Sequence, residues 1–542
     1  MMNLGLIHEA IAEVIPDREC IVFRDRRLCW SEVTDRTRRL ADVLRQHGFG
    51  CRQARAGLES WQSGQDHVAL YLYNGNEYLE GMLGAYKARC APFNVNYRYV
   101  EEELLYLFDN SDARAVIYHG RFAPLLAKIR ERLPKLELLI QVADESGHAL
   151  LDGALDYEQA LADATPAEPE ELSPDDLYIL YTGGTTGMPK GVLWRQEDIF
   201  YSALVTRKPE SLLAIQERVR NGREIRSLPS PPFMHGAAHW VAFNMWHLGG
   251  TVLVQDKVEH LDPNDIWSTL EREKGNTLAI VGDAFARPLI DQLREKDYDL
   301  SSLFLVTSGG AIFTAALKQE LLDLLPDIRI LDALGSSETG AQASHYSTKQ
   351  TGVQTGQFEL GDDNLVLSDD LSHVLEAGSP ERGWLASRGW MPLGYYKDEE
   401  KSRLTFPVVD GVRYSVPGDR AMVEPSGALR LLGRDSVTIN SGGEKIFAEE
   451  VELALKHAAA VYDCVVCGTP NPRWGSQVTA IVRLREGETP DEDALRTTAG
   501  EHITRYKIPK AFIFVDEIVR APSGKADYRW AVETAKRALG LG

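Results

Sequence analysis

The segment 181-YTGGTTGMPKGV-192 packs four glycines and three threonines around Pro189 and Lys190, and it follows an apolar run, 176-DLYIL-180, with strand character. Glycine lets backbone N–H groups approach a ligand closely and admits positive φ. Threonine hydroxyls donate hydrogen bonds, and a lysine adds a mobile positive charge. Together they describe a cradle for phosphate oxygens, with a strand expected before it and a helix after it. It is not a Walker A loop, which sets Gly directly before Lys and Ser or Thr after it; here Pro189 precedes Lys190 and Gly191 follows. Gly and Thr alone would suit a surface turn equally well. The ordered combination favours nucleotide binding.

Outward from this loop, residues 177 to 340 alternate in character. "TVLVQ" (251–255), "NTLAIVG" (276–282), "LFLVTSGG" (303–310) and "IRILDALG" (328–335) read as strands, and "DAFARPLIDQLREK" (283–296) and "AALKQELLDLLP" (315–326) have helical spacing. Such alternation, with glycine at strand ends, predicts parallel sheets with helices outside. Ligands then bind beyond the carboxyl ends of the strands, where "YTGGTTG", "SGGA" and "LGSSETG" fall. From 341 to 432 short runs separated by Gly, Pro and Asp predict a small β subdomain. After "GRDS" (433–436), helix and strand alternate again to the end, long enough for a separate α+β domain. The fold class expected is therefore α/β: an N-terminal domain over 1–432, including the β subdomain at about 341–432, a hinge at 433–436, and a small mobile C-terminal domain over 437–542. Residues 51–64 read as a loop insertion.

A hydrophobic content of 44% and a charged content of 26% are those of a soluble globular protein. The net charge of −21 excludes a basic nucleic-acid footprint, so a polyanionic ligand must be met by local positive groups. The N-terminus lacks a basic n-region and carries Glu9 and Glu13, unlike a signal peptide. No run approaches the ~20 apolar residues of a membrane span. A cytoplasmic protein is expected, with peripheral membrane contact left open as a route to an apolar substrate; homodimerisation is likewise open. Six cysteines in 542 residues make no disulfide framework. Cys464 and Cys467 form a CxxC, but "CVVCG" reads as a buried strand, whose residues three apart face opposite ways, so a metal or redox site is not expected there.

Further segments line up with the loop. "LGSSETG" puts Glu338 at a strand end, where a carboxylate can hold Mg²⁺. "YSVPGDRA" puts Asp419 after a turn, "GRDS" and "SGGEKI" bring Arg434 and a glycine pair, and "VRAPSGKADY" presents Lys525 on a short loop. In order and spacing these resemble the adenylate-forming superfamily of acyl-CoA synthetases, peptide-synthetase adenylation domains and luciferases, over nearly the whole chain. "SGGEKI…EEVE" and "PPFMHG" look closest to bacterial fatty-acyl-CoA and sterol side-chain-CoA ligases. Three positions depart from the pattern: Gly183 stands where Ser or Thr is usual, Leu334 where an aromatic residue often stacks on adenine, and Ser436 where many members carry Asp or Lys.

The resemblance implies an ATP-dependent acyl-CoA ligase. A carboxylic acid, fatty or sterol-derived, becomes acyl-AMP with loss of pyrophosphate; CoA then takes the acyl group and AMP leaves. It implies Mg²⁺ at Glu338 with Thr182 nearby. Thr182, Gly183, Gly184, Thr185, Thr186, Gly187 and Lys190 are expected around the phosphates, with Thr186 catalytic beside Lys525 and Glu338. Gly310, Ala311, Asp332 or its backbone, Gly335, Ser336 and Ser337 are expected along the nucleotide, and Asp419 and Arg434 at the ribose. His235, Gly236, Trp240 and Gly309 are expected at the acyl pocket, and Gly442, Gly443, Glu444 and Lys445 along CoA. His235 reads equally as a gate and as a packed helix-start residue. The expected partners are the acid, ATP and CoA, with no nucleic acid. Two rivals stand: a free-standing ligase that loads a carrier protein's pantetheine arm, and a non-catalytic nucleotide sensor, for which Lys525 would have no use. The chain ends soon after Lys525, so no fused carrier domain is expected.

Overall fold

A strand buried on both faces reads as an unbroken apolar run, and parallel neighbours need a long crossover between them. In a computed structural model, which describes residues 2–169, 171–182, 188–205, 207–441, 444–521 and 524–541, the apolar runs read from the sequence meet both conditions. Arg329–Ser336, Leu305–Gly309, Thr277–Ile280, Arg226–Pro229, Thr251–Val254 and Glu19–Phe23 lie side by side in that order, all parallel. The helices Pro263–Arg272, Gly282–Glu295 and Ala315–Leu324 cover one face, where Leu278, Ile280, Val306 and Ile330 pack on Trp267, Leu289 and Leu321. On the other face lies the helix Gly236–Trp246, here the wall helix, which begins soon after Arg226–Pro229 ends.

The glycine-rich segment departs from the expected strand–loop–helix. Lys190–Arg195 is a strand, paired antiparallel with Leu177–Thr182 from Leu177 opposite Arg195 to Thr182 opposite Lys190. The helix Gln196–Ala203 follows it. Val192, Leu193 and Trp194 are fully buried, and branched and aromatic side chains suit a pleated, packed surface. Gly191 makes room for the Tyr181 ring, which a Cβ there would meet at 2.8 Å. Gly394–Tyr395 completes a three-stranded sheet.

The strands of 341–432 keep a small core of their own around Val366, Leu385, Ala421 and Leu429, but not a sheet of their own. Through Gly340–Ser347 and Gln357–Leu360 they continue the parallel array into one thirteen-stranded sheet. A second sheet, unread in the sequence, is all parallel and runs through His67–Tyr71 and Ala113–His119. The segment 51–64 is closed by a bridge between Cys51 and Gln65.

The C-terminal residues form a five-stranded sheet around the hairpin Val461–Asn471 and Gly475–Leu484. Cys464 and Cys467 point to opposite faces, one with Val466 and Leu455, the other with Val465 and Ala531. All six cysteines are free. Among the described residues no helix is long and apolar enough to cross a membrane.

Candidate active site

A cavity of about 1260 Å³ opens along the uncovered face of the parallel strands. Side chains alternate along a strand, so Val281, Gly309 and Ala333 form its top tier, Ala279, Thr307 and Leu331 the middle, and Thr277 with Leu305 the bottom. The facing wall is the wall helix, which contributes Gly236, Trp240, Val241, Asn244 and Met245 along one side. Ile225, Leu248 and Phe304 close the far end, and the exposed Arg223 guanidinium stacks 4.5 Å from the Phe304 ring.

Charge gathers at the near end. Asp419 and Arg434 face each other across a two-stranded pairing, with Arg434 Nε donating to Asp419 Oδ1 at 3.2 Å. Glu338 sits in the tight link between Arg329–Ser336 and Gly340–Ser347. Its carbonyl accepts from Ser415 Oγ at 2.6 Å, its amide donates to Ser336 Oγ at 3.2 Å, and its Oε1 accepts from the Tyr395 hydroxyl at 2.9 Å. Gly335 is required in this link, because a Cβ would run into the Gly340 carbonyl. Lys525 enters the cavity from the C-terminal side, its Cε 3.6 Å from where a Cβ on Gly310 would stand, and Gly310 has φ +86°. The surrounding protein lowers the Lys525 ammonium pKa, Arg434 adds to this, and Glu338 and Asp419 oppose it. Asp419 in turn raises Arg434 further above its ordinary value. Four ionisable groups from distant parts of the chain therefore share one field.

The Lys525 loop is held from both sides. Arg520 pairs with Asp463 at 2.7 Å and donates to the Gly524 carbonyl at 3.2 Å. Lys456 reaches Asp283 at 3.0 Å, tying the C-terminal residues to the helix Gly282–Glu295. At the proposed hinge Gly433 has φ +122°, and a Cβ there would collide with Glu449 Oε2. That oxygen is buried without a hydrogen-bond partner. Burial and then Glu452 push the Glu449 carboxyl up to about 8.

His235 stands at the N-cap position of the wall helix, without a side-chain capping hydrogen bond, and lines the cavity. Burial and then Lys525 pull its pKa down to about 3, so the imidazole is neutral; its Nε2 is buried without a partner. Gly236 is hemmed by Leu180 and Trp240, each 3.1 Å from where a Cβ would stand. Trp240 Nε1 donates to the Tyr178 hydroxyl at 2.7 Å, which meets His239 Nε2, whose other nitrogen meets the Phe233 carbonyl.

Of the expected residues, the structure brings Thr182, Gly309, Gly310, Gly335, Ser336, Ser337, His235, Gly236, Trp240 and Lys525 to this cavity. Ala311 lies beside it, its backbone pressed on Gly282. It does not bring the Asp332 carboxylate: alternation turns it to the opposite face, where Lys318 on Ala315–Leu324 pairs with it. Lys190 is tied to Asp398 at 2.6 Å and so meets the site already paired. Glu444 and Lys445 sit away from the cavity, Lys445 3.9 Å from Asp435. Gly183, Gly184, Thr185, Thr186, Gly187, Gly442 and Gly443 lie outside the described residues. Sequence reading missed Tyr395, Asp398, Tyr178 and Asn244. The only signal was the "YYKD" run at 395–398, and no spacing links it to Glu338 or Lys190.

Among the described residues no three acidic, His or Cys groups cluster as a preformed metal cage. A single carboxylate such as Glu338 suits Mg²⁺, which is usually held by one or two carboxylates together with substrate phosphates.

A family model described as AMP-binding enzyme matches residues 8–396, and one described as AMP-binding enzyme C-terminal domain matches 450–525. The chain is 51% identical to "Medium-chain acyl-CoA ligase Mig" of Mycobacterium avium, over 98% of this chain and 97% of that protein. It is 40% identical to "3-oxocholest-4-en-26-oate--CoA ligase" of Rhodococcus rhodochrous, over 98% and 95%. The fold matches the anthranilate CoA ligase AuaEII in complex with anthranoyl-AMP, with a TM-score of 0.81 and 22% identity over 100% and 98% of the two chains. ATP-bound MatB from Rhodopseudomonas palustris also gives a TM-score of 0.81, at 22% identity over 99% and 100%.

Proposed function

The chain belongs to the AMP-binding enzyme family, and from that membership we propose that it is an ATP-dependent acyl-CoA ligase for apolar carboxylic acids of fatty or sterol-derived type. The observation that carries the reading is the polarity of the cavity. At one end Lys525 lines the cavity within the field of Arg434, Asp419 and Glu338 behind it, and the other end runs on between largely apolar walls. Both relatives named above act on such acids by their names.

The first step sets a carboxylate against the α-phosphate of ATP, two anions approaching each other. Catalysis then consists of positioning and offsetting charge. In this reading Lys525 donates charge-assisted hydrogen bonds to the carboxylate and the α-phosphate. Asp419 accepts from the ribose hydroxyls and Arg434 holds Asp419 in place. Glu338, oriented by Tyr395, would hold Mg²⁺, which would neutralise phosphate charge when bound. The neutral His235 borders the acyl chain without adding a second cation beside Lys525. Lys190, paired with Asp398, contributes to the phosphate end only as that pair opens. The hinge at 433–436 lets the C-terminal residues turn, so that Glu444, Lys445 and the glycine pair replace the Lys525 loop for CoA. ATP and CoA as co-substrates, and the free cysteines, fit a cytoplasmic enzyme.

The test is a half-reaction assay with medium-chain acids. Acid-dependent pyrophosphate release, then AMP and a thioester on adding CoA, is the expected result. Transfer to a phosphopantetheine carrier but not to CoA would overturn the choice of acceptor, and pyrophosphate release without any acid would overturn the ligase.

A further inference from the structure

The cavity's bottom tier carries polarity that the apolar reading of its walls does not use. Asn244 lies on the wall helix between Val241 and Met245 and lines the cavity. Among the described residues its carboxamide has no hydrogen-bond partner. Thr277, on the facing strand, also lines the cavity; it is 4% exposed and its hydroxyl is buried without a partner. Each lies well along its own element from the end nearer Lys525. Asn244 is eight residues down the wall helix from Gly236, ~12 Å at 1.5 Å per residue. Thr277 is two tiers below Val281, the top-tier residue of the same strand, ~13 Å at 3.3 Å per residue. The surroundings at that depth are Leu305, Met245, Leu248, Ile225 and Phe304.

An amide on an apolar wall is hydrated while the cavity is empty and loses that water when a hydrocarbon chain fills it. Leaving it unpaired then opposes binding. A ligand with an oxygen at that depth restores the bond, since a carboxamide both donates and accepts and a threonine hydroxyl does likewise.

We propose that Asn244, with Thr277, forms a distal polar subsite that selects acids carrying a keto or hydroxyl oxygen at the end of the chain remote from the carboxylate, about 12 Å beyond Gly236 along the wall helix. This rests on the ligase reading above and narrows its substrate class. Tier depth sets where the oxygen must lie, and the apolar residues around it reject a charged group there. A plain chain of the same length still fits, with the amide unpaired.

The test compares a medium-chain acid with its (ω−1)-oxo counterpart, over a series of lengths, by kcat/KM for AMP formation with CoA. Wild-type enzyme is expected to favour the oxo acid by about tenfold at the length that brings the oxygen to Asn244, and to show no preference at shorter lengths. Asn244→Leu removes the amide at similar volume, and Thr277→Val removes the hydroxyl. Each is expected to collapse the oxo-to-plain ratio, and because the ratio is taken within one enzyme preparation, a loss of folded protein cancels. An equal ratio at every length in wild type, or a ratio unchanged in Asn244→Leu, overturns the subsite while leaving the ligase intact. Failure of both acids to yield AMP overturns the ligase reading and the subsite with it.

Discussion

Replacing Lys525 by alanine takes away an ammonium that faces Glu338, Asp419 and Arg434 at the charged end of the cavity. Loss of one preorganised donor costs about 10²–10³ in rate. Lys525→Ala is therefore expected to lose adenylation by that factor and to keep thioester formation when acyl-AMP and CoA are supplied. A matched loss in both steps would remove the assignment. Glu338→Gln keeps the acceptor for the Tyr395 hydroxyl but removes the charge that hard Mg²⁺ favours. The variant should need more Mg²⁺ for the same rate, and a titration superimposing on that of wild type would take Glu338 out of the metal site. Both residues were legible as motif positions. Their neighbours were not: Tyr395 is 57 residues from Glu338, and Asp398 is 208 from Lys190. Asp332 shows the converse, because the family pattern points to it while strand alternation turns its carboxylate away to Lys318.

Elements carried more of the fold than residues did of the site. The strands at 251, 277 and 305 were readable because each is an apolar run with a helical crossover after it, and the apolar run at 329 receives the last of those crossovers. The strand at 190–195 was not, because the glycine loop resembles those that open helices, and only the packing of Trp194 and the Tyr181–Gly191 contact settles it as a hairpin. The link at 433–436 supports two opposed predictions. Gly433→Ala would strain a position at φ +122° and collide with Glu449, at a cost of about 1–2 kcal/mol. It is expected to disfavour the docked arrangement, lowering acid-dependent pyrophosphate exchange about tenfold and sparing transfer from preformed acyl-AMP. Ser436→Pro, within the short turn Asp435–Val437, fixes φ near about −65° and removes a donor. It is expected to keep exchange and lose transfer. Equal loss of both activities in either variant, with an unchanged melting temperature, would defeat the hinge.

The whole molecule adds a pH term at the same place. Glu449 faces Glu452 on its own helix, Asp419 and Arg434 on the paired strands, and Tyr528 on the last helix. With its carboxyl raised to about 8, the docked protein keeps a proton that the free side chain sheds near pH 4.3. Between those values the docked state binds more protons, so its stability falls as pH rises through the window and levels above it. Protease susceptibility of the C-terminal segment is expected to climb from pH 6 to 9 in wild type and to stay flat in Glu449→Gln. Parallel profiles would show that the carboxyl is not the sensor. No sequence pattern signals this: nothing in the "EEVE" run marks its first acid as buried, and only the fold sets Glu449 against a glycine.

The way Lys525 enters the cavity has a consequence for cellular economy. Ala521 and the residues from Lys525 to Arg529 form part of the cavity's own lining, so the group proposed to promote activation also walls the vessel in which activation would occur. On the hinge proposed above, an acyl phosphate anhydride made there would be shielded on this side until the Lys525 segment withdraws, and that withdrawal would be the movement that admits the thiol. Leakage to hydrolysis and delivery to the acceptor would then compete for the opening so made, and the fidelity of ATP expenditure would depend on how soon a waiting thiol finds it.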